Sequence, residues 1–250
     1  MMKFSTVAFI PARSGSKRIP HKNIKMLGGH PMLAYSIISA IESGIFDTVI
    51  CATDDEKYAE IAQYYGAEVP FLRSKEIAGD KSPDIEWLYW ILSTLKEAGR
   101  TFDIFSILRP TNPFRQAGTI RRAWDHFIND PQIDSIRAVE KCKQHPGKMW
   151  KISGDRMTPL FPFEVDGTPW HSSQYANLPE VYIQNASLEI SWVKNALEKK
   201  LISGNIVKPF ISNGLEGFDV NDPEDFELSK IHVANNSGIL PEIKIKPFKL

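Results

Sequence analysis

Arg13, Lys17, Arg18 and Lys22 share one short loop, within the stretch Ile-Pro-Ala-Arg-Ser-Gly-Ser-Lys-Arg-Ile-Pro-His-Lys-Asn that runs from Ile10 to Asn23. Four cations this close suit a highly charged anion, and Gly15 between two serines lets backbone N–H groups turn toward it without Cβ interference. A triphosphate is the natural guest. Pro11 and Pro20 stiffen both ends, which favours a ligand cradle over a merely solvated basic loop. The pattern is not a Walker A motif, because Gly15-Ser16-Lys17 lacks the first glycine at the required spacing and the helix begins well downstream.

Two later stretches carry chemistry of a compatible kind. Leu108-Arg109-Pro110-Thr111-Asn112-Pro113-Phe114-Arg115 is a stiff loop that cannot begin a helix before Gln116. If it leaves the same sheet edge as the basic loop, Arg109, Thr111, Asn112 and Arg115 are placed to line one crevice. Spacing alone leaves an ordinary strand-to-helix turn with solvated arginines equally open. In Glu216-Gly217-Phe218-Asp219-Val220-Asn221-Asp222, strand alternation puts Asp219 and Asn221 on one face and leaves Asp222 to cap a helix. Hard oxygen ligands beside a phosphate cradle are what Mg²⁺ takes, with Asp219 and Asn221 the candidates. Taken without its neighbours, Asp219 also reads as a strand-end cap.

The elements that must position these loops follow the rhythm of an α/β protein. Apolar segments at 6–10, 48–52, 67–72, 104–108 and 134–139 alternate with helical stripes, which predicts a three-layer, doubly wound, mainly parallel sheet. The stripes are Leu33, Ile37 and Ile41, then Tyr58, Ile61, Ala62 and Tyr65, then Ile85, Leu88, Leu92 and Leu95, then Ile120, Trp124, Phe127 and Ile128. After Val139, closely spaced prolines and glycines predict an irregular arm over about 140–182, inserted in a single domain over 1–236, with a tail over 237–250. The chain returns through strands at 187–193 and 206–211, a short helix near 195–201, and a last strand ending at Asp219. Asp222, Pro223 and Asp225 then open a helix.

Composition excludes several classes. Among 250 residues, 30 Lys and Arg balance 30 Asp and Glu, so no overall field favours nucleic acid or a membrane surface. No run approaches the length of a membrane span and the amino terminus lacks a signal-peptide layout, so a cytoplasmic protein is expected. Cys51 and Cys142 stand far apart and the six histidines show no paired zinc spacing.

Together these segments resemble the acylneuraminate cytidylyltransferase family, whose members activate sialic acid and related nine-carbon sugar acids as CMP conjugates. The resemblance is carried by Ile10 to Asn23, by Thr53-Asp54-Asp55 with Gly66-Ala67-Glu68, by Arg109 to Arg115, and by Asp219-Val220-Asn221 with Pro223-Glu224-Asp225. It implies a nucleotide-diphospho-sugar transferase fold with a small dimerisation arm, CTP and an acidic sugar as substrates, Mg²⁺ as cofactor, and a homodimer. Direct attack of the anomeric hydroxyl on the α-phosphate would release pyrophosphate without a covalent enzyme intermediate. Arg13, Lys17 and Lys22 would hold the triphosphate, Asn23 would help fix the nucleotide, and Arg73, Asp80 and Ser82 would lie near the ribose or base. Arg13, Lys22 and Asp219 would then carry the catalysis.

The chain departs from the family in two places. Arm arginines often found in such proteins are replaced by Tyr175 and Ile183, leaving Gln174, Gln184 and Asn185 as neutral hydrogen-bonding groups for the sugar. Asn221 stands where some members have a second aspartate, which leaves one strong carboxylate for metal. The alternatives are a CMP transferase for an eight-carbon ulosonic acid or an amino derivative, and a non-catalytic CTP-binding protein.

Overall fold

Successive residues of the first strand bury their side chains on opposite faces of a sheet, and a helical layer covers each face. A computed structural model describes residues 4–74, 76–79 and 82–249. In chain order its strands and α-helices begin with β1 (Thr6–Pro11), the hairpin β2 (Met26–Leu27) and β3 (His30–Pro31), α1 (Met32–Ser43), β4 (Thr48–Ala52) and α2 (Glu56–Tyr64). Next come α3 (Asp84–Glu97), β5 (Ile104–Ile107), α4 (Ala117–Ile128) and β6 (Ser135–Lys141). The hairpins β7 (Trp150–Ser153) with β8 (Arg156–Pro159), and β9 (Glu164–Val165) with β10 (Thr168–Pro169), follow. The chain closes with β11 (Tyr182–Trp192), α5 (Val193–Lys199), β12 (Val207–Ile211) and α6 (Pro223–Asn235).

The main sheet has the order β12-β6-β11-β5-β1-β4. β1 pairs in parallel with both β4 and β5, while β11 runs antiparallel to β5. Ala8 and Ile10 face a core completed by Leu33 and Ile37 of α1, Ile61 of α2, and Ile120 and Phe127 of α4. Val7 and Phe9 face the other layer, against Trp87, Leu88 and Leu92 of α3 and Val193 and Ala196 of α5. The three-layer α/β fold predicted from alternation is therefore present.

Two expected strands are absent. Residues 67–72 contribute only an isolated bridge, Ile50 with Glu68, because Pro70 offers no N–H to continue the ladder and backbone bonding resumes only at Arg73, whose N–H donates to the Thr53 carbonyl. The stretch to Asp219 is a loop: Gly214 turns at φ +54°, and the Val220 N–H donates to the Thr111 carbonyl, not to a neighbouring sheet strand. Helix ends follow the sequence signals more closely. Gly44 closes α1 in the left-handed region at φ 68°, and Asp222 and Asp225 form a reciprocal capping box at the start of α6.

The chain divides into two compact units, residues 1–138 with 185–250, and residues 139–184. The second unit contains the β7–β8 and β9–β10 hairpins and an aromatic cluster in which Phe163 meets Trp170 at 4.9 Å and Trp170 meets His145 at 5.4 Å. It also exposes Ile152, Met157, Phe163 and Tyr175. No helix among the described residues is long and apolar enough to cross a membrane.

Candidate active site

Three loops from distant parts of the chain meet at the main-chain amide and carbonyl of one buried residue, Val220. Its N–H donates to the Thr111 carbonyl at 2.8 Å, and its carbonyl accepts from Lys22 Nζ at 2.8 Å. The Val220 side chain seals the junction in a cluster with Ile19, Met32, Tyr35, Phe114 and Phe226. The basic loop, the Arg109 loop and the Asp219 loop are thereby fixed to one another.

Each loop has its own brace. Asp54, two residues past the end of β4, accepts from the Ser14 N–H at 2.8 Å and from Ser14 Oγ at 3.0 Å, and Asn23 Nδ2 donates to the Arg13 carbonyl at 3.0 Å. These bonds shape the basic loop from inside. The Arg109 loop rests on α1, where Ser36 Oγ donates to the Arg109 carbonyl at 3.1 Å and Ser39 Oγ to the Arg115 carbonyl at 2.7 Å. The Asp219 loop is tied to α4 through Glu216, which accepts from Thr119 Oγ1 at 2.7 Å and Arg122 Nη2 at 2.6 Å.

The result is a cleft of about 410 Å³ at the carboxyl edge of β1, β4 and β5. Arg13, Lys17, Lys22, Asn23, Arg73, Arg109, Thr111 and Asn221 all line it, as their sequence context predicts. Ser82 lines an adjoining cavity of about 260 Å³ that shares Arg13, Arg73 and Asp84 with the first. A Cβ added at Gly15 would meet no atom within 4 Å, so the protein's own packing does not require glycine there.

Other predicted residues are placed elsewhere. Asp80 lies outside the described residues. Asn112 and Arg115 do not line the cleft. Both are buried, and the Arg115 guanidinium is turned inward to the Ser187 carbonyl and Ser36 Oγ. Burial, aided by the charge of Arg109, pushes the Arg115 guanidinium down from its ordinary value. Asn185 spans the sheet: Nδ2 donates to Ser212 Oγ at 3.0 Å, and Oδ1 accepts from the Ser187 N–H at 3.2 Å. Gln174 is an exposed residue of the second unit. Asn185 is thus not part of the cleft lining. One lining residue missed in the sequence is Asp84, in the first turn of α3. An acidic residue just after Pro83 reads as routine helix-start chemistry, and nothing local marks it as facing a site.

Lys22 is the electrostatic centre of the cleft. Partial burial lowers its ammonium from the usual lysine value; Asp219 opposes that, while Arg18 and Arg13 reinforce it. Arg73 is lowered too, first by burial, with Asp54 and Asp84 acting against the shift. Positive groups held together against desolvation favour an incoming polyanion.

Asp219 differs from its neighbours in what its oxygens do. Asp222 and Asp225 are consumed by the capping box, whereas Asp219 Oδ2 accepts from Asn221 Nδ2 at 2.8 Å and its buried Oδ1 has no hydrogen-bond partner. No cluster of three His, Cys, Asp or Glu among the described residues offers a complete metal cage. Asp219 itself does not line the cleft, but its partner Asn221 does, and one carboxylate with an unsatisfied oxygen at that position fits Mg²⁺, which takes few protein ligands and completes its shell from water and phosphate.

The tether to Asp54 is testable. Asp54→Ala is expected to weaken binding of a nucleoside triphosphate about tenfold, measured by calorimetry, with Asp54→Asn falling between it and the wild type, because each lost bond to Ser14 loosens the loop that presents the cations.

Comparison with known proteins agrees with this geometry. Residues 7–140 match a protein-family model described as Cytidylyltransferase. The chain is 31% identical over 226 residues to the CMP-N,N'-diacetyllegionaminic acid synthase of Legionella pneumophila, covering 90% of this chain and 94% of that one. It is 31% identical over 228 residues to the N-acylneuraminate cytidylyltransferase of Escherichia coli, covering 91% of this chain but only 52% of that one. Among solved structures, a CMP:2-keto-3-deoxy-manno-octonic acid synthetase complexed with CTP superposes with a TM-score of 0.66 at 15% identity, covering 92% of this chain and 99% of that one. At that identity the likeness establishes the fold.

Proposed function

Because the chain belongs to the cytidylyltransferase family, we propose that it transfers CMP from CTP to the anomeric hydroxyl of a nonulosonic acid of the sialic, legionaminic or a related kind, releasing pyrophosphate. The observation that carries this reading is the junction at Val220, which ties Lys22 of the basic loop, the Thr111 loop and the Asp219–Asn221 segment together, so that Lys22, Thr111 and Asn221 line a single cleft.

In this reading the anomeric hydroxyl gives up its proton to water, its oxygen forms a bond to the α-phosphorus while the bond from that phosphorus to the bridging oxygen breaks, pyrophosphate leaves with that oxygen, and no side chain becomes covalently attached. Phosphoryl transfer needs position and charge more than a nucleophile. Arg13, Lys17 and Lys22 hold the triphosphate, and Arg13 and Lys22 offset the charge that builds on the departing pyrophosphate. Asn23 acts on the loop, since its amide is spent on the Arg13 carbonyl. Arg73 and Ser82, at the adjoining cavity, face the nucleoside, and Arg109 and Thr111 face the incoming sugar. Asp219 and Asn221 would hold Mg²⁺, which when bound supplies charge neutralisation at the phosphates.

The proposal includes pairing of two copies through the second unit, supported by the apolar side chains that unit exposes. It also includes a cytoplasmic location, supported by two free thiols, Cys51 and Cys142.

The test is turnover. Incubated with CTP, Mg²⁺ and a panel of nine-carbon acid sugars, the protein is expected to release pyrophosphate in step with formation of a CMP-sugar. Turnover confined to an eight-carbon ulosonic acid would move the substrate class, and CTP binding without turnover on any acid sugar would overturn the catalytic reading.

A further inference from the structure

Resting on that reading, we propose that Glu189 is a positioning residue for the transfer, gripping the Arg109 guanidinium from the sheet side while Asp84 grips it from the helix side. Glu189 is only 4% exposed and sits on β11 opposite Ile107, two residues before Arg109. Arg109 Nη1 donates to Glu189 Oε1 at 2.8 Å, and Arg109 Nη2 to Asp84 Oδ2 at 2.5 Å. On its far side, Glu189 Oε2 lies 3.0 Å from Arg137 Nη2 on β6, an ion-pair separation without hydrogen-bond alignment. An Arg–Glu–Arg bridge thus runs from β6 across β11 to the loop that follows β5, where Arg109 lines the cleft.

A buried carboxylate is costly unless paired, so its presence here calls for a role. A guanidinium held through both Nη atoms by carboxylates on different elements cannot swing about its Nε–Cζ bond. Arg109 therefore meets its ligand already oriented, which preserves binding entropy for the reacting geometry. The grip extends further. The other oxygen of Asp84 accepts from Trp87 Nε1 at 2.8 Å, and Arg73 lies over the Trp87 ring at 5.6 Å, so Asp84 is itself immobilised at the boundary of the two cavities. Charge argues the same way. Arg109, Arg115 and Arg137 crowd this region, and the carboxylates of Glu189 and Asp84 more than offset the effect of burial on Arg109, keeping its value raised.

Glu189→Gln retains the size and an acceptor for Arg109 but removes the charge. In arginine-selective ¹⁵N spectra, the wild type is expected to show slow guanidinium rotation for Arg109, assigned by its loss in Arg109→Lys, and Glu189→Gln to show fast rotation. Kinetically, Glu189→Gln is expected to lower kcat/KM for the acid sugar about tenfold while the CTP dissociation constant stays within about twofold. The double variant Arg109→Gln with Glu189→Gln is expected to be no worse than Arg109→Gln alone. Unchanged Arg109 rotation, or losses that multiply in the double variant, would overturn the assignment. Should the wild type turn over no sugar in the panel, the substrate reading fails while the rotation measurement still decides on Glu189.

Discussion

Lys22→Met is expected to lower kcat/KM for CTP about 100-fold or more while leaving the ligand-free protein about as thermostable as the wild type. The two effects separate because of where the Lys22 charge sits. Burial lowers its value, and Arg18 and Arg13 add like charge, against help from Asp219. With a folded value below the unfolded one, the charged ammonium weighs against the ligand-free fold at pH below the folded value, and that burden fades as pH rises through the folded value toward the unfolded one. Methionine removes the burden and loses the bond to the Val220 carbonyl, an effect of about 1 kcal/mol in the opposite sense. The triphosphate reverses the sign, since it needs the cation. CTP affinity should therefore fall as pH rises through the free-state value, which lies below 10.5, and Lys22→Arg should move that alkaline limb upward. Thermal melts and CTP calorimetry across pH check both halves. A large loss of melting temperature with little loss of rate would make Lys22 a structural tie between loops and nothing more.

How far these features were legible from residues alone depended on whether the deciding contacts were local. The layered sheet was legible because alternation is a period-two property of each strand: Val7 and Phe9 go to one helical layer, Ala8 and Ile10 to the other. Helix ends were legible for the same reason, since Gly44 and the pair Asp222 with Asp225 act within a single turn. Strand status near Asp219 was not. Its alternating pattern mimics a strand, but the Val220 amide is claimed by Thr111, more than one hundred positions earlier, and no short window contains that partner.

The site divides along the same line. The basic loop announced itself by composition, and every cation predicted there lines the cleft. Arg115 shows the limit of that logic, for an arginine beside a cleft loop can equally well be a buried brace, and only the inward acceptors Ser187 and Ser36 decide it. Asn185 is a similar case, an amide absorbed into cross-strand bonding. Glu189 lay beyond reach from sequence, because its two arginine partners come from distant segments, Arg137 of β6 and Arg109 of the loop after β5.

Asp219→Ala is expected to reduce Mg²⁺-supported turnover by about three orders of magnitude, the scale of losing several kcal/mol of charge stabilisation at the phosphates. The argument rests on its oxygens. Oδ2 is oriented by Asn221, while buried Oδ1 lacks any hydrogen-bond partner within the chain, and a bound ion or an ordered water is what completes such an oxygen. A structural role and a metal role then diverge in binding measurements. Without Mg²⁺, Asp219→Ala should bind CTP as well as the wild type or better, because a negative charge facing a polyanion has been removed. With Mg²⁺, it should lose the gain in affinity that the wild type shows. Removing Asp219 also removes the larger of the two carboxylate influences that raise the Lys22 value, the other being Asp225, so the alkaline limb of CTP binding should move to lower pH in this variant. Asn221→Ala should be milder, since it frees Asp219 Oδ2 without deleting the charge. If Asp219→Ala instead weakened CTP binding equally with and without Mg²⁺, Asp219 would be a loop residue whose open oxygen has no metal to meet, and the ion would have to be held by the triphosphate and water alone.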